Sequence, residues 1–414
     1  KVTGATLYLD DIQQENCLHG ATVRSQVAHA RILGVEKDPD FDWTDITLLT
    51  AKDIPGENLV YLMTRDQPAL ADEWIRHVEE PVALVAAPTR ERALEAAKHV
   101  IVKIEEKDAL LDMERAEHSD IRIFGDDNIF KKIEINRGDP DSIQHGRIIE
   151  GTYTTGHHEQ LYIEPQGMMA IPQEQGGLCI VGSMQCPYYI IKGISELLGA
   201  GFEDPDQLQI IQAATGGGFG GKEEYPSMLA AHCALLAVAT GAPVKIVYRR
   251  DEDLRATTKR HPSRTRIRTR VDAEGRLLSV DVDMLVDGGA YNTLTPVVLS
   301  RGVLHATGPY RCDNVRILGK AVATHSPPNG AFRGFGAPQA QWASERHMDR
   351  IARELGIDPV ELRIRNLVEE GDRTATGQRL VSPGGKTVLQ AALQAASDLE
   401  DEVRPDHPGG GGVI

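Results

Sequence analysis

Cysteine is scarce and badly spaced for metal work, since Cys17, Cys179, Cys186, Cys233 and Cys312 never fall as C-x-x-C. This excludes an iron–sulfur cluster or structural zinc held by this chain alone, and an odd number of thiols points to a reducing compartment. Positive charge is also short: 45 Lys and Arg face 61 Asp and Glu, for a formal charge of −16 and a pI near 5.4. Polyanionic partners such as nucleic acid are therefore not expected. No apolar run is long enough to cross a bilayer, which takes about 18 to 20 residues. The longest, Met228 to Val244, is broken by His232, Thr240, Gly241 and Pro243, and reads as a buried helix stopped by Gly241. The start at Lys1 shows no apolar signal region, so the cytoplasm is the expected location. There is no evident internal repeat.

What is present is the composition of a globular protein, 41% apolar and 26% charged, and 414 residues exceed what one core usually supports. Two or more domains follow. Residues 1–110 alternate short β-rich runs (Thr6 to Leu9, Leu18 to Arg24, Ile46 to Thr50, Pro81 to Ala86) with one helix from about Thr89 to His99. Thr89 is the expected N-cap, with Ala93, Leu94 and Ala97 on the inward stripe and Ile101 to Ile104 a closing strand. Residues 111–145 are polar and weakly periodic and read as a linker. From 146 to 370 longer strands follow. Arg264, Arg266, Arg268 and Arg270 share one strand face, expected to be solvated, and a turn at Glu274-Gly275 closes a hairpin. Pro338 opens a helix expected to bury Trp342, Met348, Ile351 and Leu355 and to stop at Gly356. Residues 371–414 read as a terminal helix and a flexible tail ending in Pro405-Asp406-His407-Pro408 and four glycines.

Thr215-Gly216-Gly217-Gly218-Phe219-Gly220-Gly221-Lys222-Glu223 places five glycines in six positions, a backbone that another group is expected to approach. The segment fits G-x-G-x-x-G and G-x-x-x-x-G-K at once, so neither match is specific. A triphosphate loop needs Ser or Thr after its lysine, whereas Glu223 and Glu224 stand there. A dinucleotide loop has its strand (Leu208 to Ile211) and helix (about Tyr225 to Ala239), but lacks the acid about 20 residues on. A dinucleotide-binding dehydrogenase remains the alternative from another class. His157-His158 with Glu159 and Glu164 invites a metal reading, but adjacent strand residues point to opposite faces.

A second glycine element, Ala331-Phe332-Arg333-Gly334-Phe335-Gly336-Ala337-Pro338, sets an arginine and a phenylalanine on a turn at a helix mouth, where amides and guanidinium can hold an anionic or oxo group. The pair of elements, with the opening Asp10-Asp11-Ile12, Leu18-His19-Gly20-Ala21-Thr22-Val23-Arg24-Ser25 and Ala28-His29-Ala30-Arg31-Ile32, resembles the molybdopterin-binding subunit of the xanthine dehydrogenase and aldehyde oxidase family of molybdenum hydroxylases. The likeness covers most of the chain. It implies an α+β fold, with a small hammerhead α/β domain over residues 1–110 followed by the first molybdopterin-binding domain, built of mixed sheets and helices.

The resemblance implies roles residue by residue. Gln185 would hydrogen-bond an oxo ligand of molybdenum, Gly218, Phe219 and Gly220 would line the cofactor through backbone, and Arg333 would sit beside it. Phe335 would be a platform for a planar substrate. Glu223 and Arg301 match positions that are acidic and basic in family members oxidising purines, so the expected substrate is a purine or similar N-heteroaromatic compound of the xanthine or hypoxanthine type. The implied reaction is hydroxylation with water as oxygen source. It implies molybdopterin, alone or as its cytosine dinucleotide, with iron–sulfur and FAD partners to remove two electrons.

The family's general base is a glutamate in a Gly-x-Gly-Glu segment of a second molybdopterin-binding domain, and no such segment occurs here. A second molybdopterin-binding chain or domain is therefore an expected partner, and the chain alone is expected to be inactive. Carbon monoxide dehydrogenases of the family carry a cysteine in the loop matching Ala331 to Gly336, and this loop has none. Aldehyde- or nicotinate-type hydroxylase subunits are the alternatives within the family. A non-catalytic cofactor-binding or maturation protein is the alternative outside enzymology.

Overall fold

The structure, a computed structural model, describes residues 2–402 apart from 175, 200, 201, 203 and 204. The glycine tail lies outside the described residues. Seven strands form one mixed sheet, in the spatial order Leu208–Gln212, Leu178–Gly182, Gly167–Pro172, Val244–Val247, Leu18–Arg24, Pro81–Ala87, Thr47–Thr50. Leu18 pairs with Val244 in parallel register, so the first hundred residues and the later part of the chain share one sheet instead of standing apart. The strand Pro81–Ala87 explains why. It is buried at all seven positions, and a strand apolar on both faces must be covered on both. Ala83, Val85 and Ala87 pack with Ala93 and Ala96 of the helix Arg90–Lys98, while Leu84 and Ala86 join the core around the helix Tyr225–Thr240.

The Thr89 side chain accepts from the Arg92 N–H at 3.2 Å, the expected cap, but Ala96 takes the inward position and Leu94 and Ala97 are only partly buried. Thr6 to Leu9 form no strand. The Asp11 carboxylate accepts the Tyr8 N–H at 2.9 Å and holds Leu9–Asp11 in a 3-10 turn. A three-stranded sheet of Trp74–Ile75, Ala30–Lys37 and Val100–Glu106 completes this end.

The second large sheet runs Ile129–Arg137, Val315–Ala323, Leu277–Gly289, Ser263–Val271, Arg147–Thr155. Its first strand corrects the linker reading of 111–145: Leu110, Ala116, Ile123 and Phe130 are buried in one cluster with Val282 and Ile317. An edge strand wet on one face carries few apolar residues, which hid it. The arginine stripe lies on one strand face as expected, with Arg266 and Arg268 exposed and Arg264 buried against Asp283 at 2.8 Å. The hairpin turn at Gly275 is present, with φ +82°.

The helix Tyr225–Thr240 is buried on nearly every side and ends at Gly241, whose φ of +66° only a residue without Cβ adopts cheaply. Each of its enclosed leucines contributes about 1.5–3 kcal/mol. The helix Ala337–Leu355 stops at Gly356 (φ +68°) and buries Met348 and Ile351. Trp342, expected inward, is 51% exposed. Six residues separate it from Met348, and at about 100° per residue that puts it on another face. Among the described residues no helix is long and apolar enough to cross a membrane, and all five cysteines are free.

Candidate functional site

The glycine run leaves the strand Leu208–Gln212 and enters the helix Tyr225–Thr240, with φ +101° at Gly217, +50° at Phe219 and +102° at Gly220. Its glycines are packed against protein from beneath. A Cβ at Gly216 would lie 2.5 Å from Glu164, at Gly218 it would overlap the Gln185 amide, and at Gly221 it would lie 2.6 Å from the Tyr162 ring. The expectation that a ligand alone explains the bare backbone is thus too narrow. Most of these positions are bare because the chain itself closes on them.

Lys222 is the fastening. Its side chain is fully buried, with Nζ 3.0 Å from Glu164 Oε2, 2.8 Å from Ser183 Oγ and over the Tyr162 ring at 4.8 Å. Burial lowers its pKa, opposed by Glu164. Glu164 Oε2 also accepts the Gly216 N–H at 2.6 Å. A lysine spent beneath its loop cannot meet a phosphate above it, which removes the triphosphate reading on geometric grounds. The sequence pointed to neither Glu164 nor Ser183 as a partner of this lysine. They are 58 and 39 positions away.

Gln185 stands directly after the strand Leu178–Gly182. Its Oε1 accepts the N–H of Gly220 at 3.0 Å and of Lys222 at 3.3 Å, and its own N–H donates to Lys222 O at 2.7 Å. Two amide donors fix the oxygen end of this side chain, so Nε2 is the end turned away from the loop, as a donor. Gln185 is exposed.

The second loop meets the first directly. The Arg333 N–H donates to Phe219 O at 2.9 Å, and a Cβ at Gly220 would lie 2.8 Å from Phe332 Cα. Phe219 and Phe335 both hold φ +50°, a conformation costly to any side-chain-bearing residue, mirrored across the junction. Ala331 is wholly buried: its N–H donates to Glu224 Oε1 at 2.9 Å and its carbonyl accepts from Gln160 Nε2 at 2.8 Å. Arg260 lies over the Phe332 ring at 3.8 Å and donates through Nη2 to Arg333 O at 3.1 Å, while its buried Nε and Nη1 have no acceptor among the described residues. The Arg333 side chain is exposed.

Arg301 neighbours Phe335 and acts electrostatically on Glu223. The Arg301 guanidinium, in the last turn of the helix Thr295–Leu304, lies 5.8 Å from the centre of the Phe335 ring. Burial raises the Glu223 pKa above the ordinary carboxylate range, against the opposing pull of Arg301. The guanidinium thus lies near an aromatic ring and close enough to the carboxyl group to act on its charge. His157 and His158 do not join them: both are exposed, and no group of three or more metal-ligating side chains occurs among the described residues.

Residues 124–367 match the molybdopterin cofactor-binding domain, and residues 3–108 match the aldehyde oxidase and xanthine dehydrogenase a/b hammerhead domain. Over 97% of its length the chain is 36% identical to the nicotinate dehydrogenase large molybdopterin subunit of Eubacterium barkeri, covering 94% of that protein. It is 34% identical to a probable xanthine dehydrogenase component from Bacillus subtilis, of which it spans 54%. The aldehyde oxidoreductase of Desulfovibrio gigas superposes with a TM-score of 0.90 at 29% identity, over 99% of this chain and 46% of that one. The fold expectation of a hammerhead domain followed by a molybdopterin-binding domain is met. This chain belongs to the xanthine dehydrogenase and aldehyde oxidase family of molybdenum hydroxylases, as a molybdopterin-binding subunit.

Proposed function

We propose that the chain forms the substrate wall and one side of the molybdopterin seat in a hydroxylase of purines or related N-heteroaromatic compounds. The observation that carries this is the placement of Arg301 over Phe335 beside the half-buried Glu223. The residues suit the cofactor. Gln185 Nε2 turns a donor outward, Phe219 is 49% exposed at the joint of the loops, and Arg260 adds positive charge beneath the second loop, its Nε and Nη1 without an acceptor among the described residues. Gly218 and Gly220 are buried on either side of Phe219, against Gln185 and Phe332, and their part is to let the chain close at this joint.

When bound, the molybdopterin group supplies a metal centre that activates water and accepts two electrons. Around it this chain does five things. Gln185 Nε2 donates a hydrogen bond toward the cofactor, and the Phe219 and Arg333 backbone, locked to each other, keep the two loops from parting. Phe335 stacks on the flat face of the substrate. The raised pKa of Glu223 lets it share a proton with a ring nitrogen or exocyclic oxygen, and Arg301 offsets negative charge that develops on the heterocycle. The general base is assigned to a second molybdopterin-binding chain or domain, and the iron–sulfur clusters and FAD to partner subunits.

The test is Arg301→Met in the assembled complex. Xanthine or hypoxanthine turnover should fall by about 10² or more, as for loss of a donor to the transition state. Undiminished purine turnover would refute the substrate assignment. Nicotinate is the second reading, favoured by the 94% span of the Eubacterium subunit. A comparison of kcat/KM for xanthine and nicotinate decides between them.

A further inference from the structure

Glu224 follows the substrate-wall glutamate and begins the helix Tyr225–Thr240, yet its side chain caps nothing in that helix. It crosses to the other loop. Oε1 accepts the Ala331 N–H at 2.9 Å, and Gly330 leaves room for it: a Cβ there would overlap the same oxygen. The residue is 7% exposed, and Oε2 has no hydrogen-bond partner among the described residues. Behind it lies a chamber of about 30 Å³, lined also by Ser227, Thr258, Asn292 and Asp66, polar and large enough for a water molecule.

Ala331 is the root of a short rigid relay. The turn it starts is closed by Phe335 N–H to Phe332 O at 2.8 Å and tied across by Arg333 N–H to Phe219 O at 2.9 Å. The neighbouring anchors hold the approach to that turn: Gly330 N–H donates to Lys259 O at 2.9 Å and the Asn329 carbonyl accepts from Thr293 Oγ1. Of the hydrogen bonds on Ala331 among the described residues, the one to Glu224 comes from the glycine-loop segment itself. Because Glu224 is the chain neighbour of Glu223 and holds Ala331, a shift at Ala331 moves the turn that carries Phe335 relative to Glu223.

We propose that Glu224 is a positioning residue: by accepting the Ala331 N–H it sets the Phe335 face at its working distance from Glu223, across the junction of the two loops. This rests on the reading of Phe335 and Glu223 as substrate wall, and the experiment separates the two claims. Hydrogen exchange of the Ala331 amide is measured in the native assembly without substrate, for the parent, Glu224→Gln and Glu224→Ala. Exchange should quicken by about tenfold or more in the alanine variant and stay near parental in the glutamine variant, which keeps an acceptor oxygen. Should the alanine variant not fold, Glu224→Asp, one methylene too short to reach, gives the same reading.

In the loaded enzyme Glu224→Ala should raise KM for the heteroaromatic substrate by about tenfold with kcat changed less, and Glu224→Gln should restore it. Parental exchange at Ala331 in both the alanine and aspartate variants overturns the clamp. So does a glutamine variant that behaves like alanine. A quickened amide with unaltered KM leaves the clamp standing and removes its role in placing Phe335, which sinks the proposal as stated while sparing the fold contact.

Discussion

The backbone N–H of Arg333 donates to the carbonyl of Phe219 at 2.9 Å, joining two glycine-bearing loops that lie far apart in the chain. Both partners sit where a side chain is conformationally unwelcome or closely flanked by glycine, so the junction tolerates little change.

Gly220→Ala is the direct test of that junction. The new Cβ would lie 2.8 Å from Phe332 Cα and 2.9 Å from the Ala331 carbonyl group, at a φ of +102°. Backbone cannot give way as a side-chain tip can, and overpacking plus strain should cost roughly 1–3 kcal/mol. The expected outcome is a lowered melting temperature together with reduced molybdenum content in the purified assembly. A parental melting curve with parental metal content would contradict the account.

Gln185→Glu separates holding from donating. A carboxylate still accepts the Gly220 and Lys222 N–H groups, so the melting temperature should stay near parental. The outward donor is lost, and turnover should fall by about 10² to 10³ if that donor serves the transition state. Steady-state kinetics beside a melting curve reads both at once.

Lys222→Met removes the fully buried partner of this pair and leaves Glu164, 16% exposed, with Ser183 and the Gly216 N–H but no counter-charge. Loss of one partner of a buried ion pair typically costs about 3–5 kcal/mol. Denaturant unfolding should show a loss of that order. A change below about 1 kcal/mol would mean that the lysine is not a fastening.

Stability should depend on pH through Glu224. Burial pushes its pKa up to about 7, with the Ala331 N–H opposing and Glu223 reinforcing. The folded state then holds a proton that the unfolded chain has already released, so this group's contribution weakens as pH rises from about 4.5 to about 7 and is level above. Glu224→Gln removes that slope. The difference in melting temperature between variant and parent should therefore grow in the variant's favour across this window. A difference flat with pH would show that Glu224 is ionised in the fold at all these values.

Part of the site's frame was legible in the residues themselves. The two loops, the strand and helix flanking the first, and the helix stops at Gly241 and Gly356 rest on local signals or motif spacing. Glu223, Arg301 and Phe335 were singled out by the family resemblance alone, and their roles stand as proposals. Trp342 was misplaced because its offset from Met348 is not a whole number of helical turns. The strand Ile129–Arg137 was lost among polar residues because half of it faces water.

The chain's own order of residues determined where the backbone is bare, where helices stop, and which family chemistry the loops carry, since turns, caps and short motifs are decided by neighbours within a few positions. Only the tertiary structure decided what those bare positions touch. It laid Leu18–Arg24 beside Val244–Val247, put Lys222 on Glu164, and led Glu224 across to Ala331. Such pairs lie tens to hundreds of residues apart, and no periodicity names a partner at that range; burial and the need of each enclosed charge or amide for a mate select it once the sheets have closed.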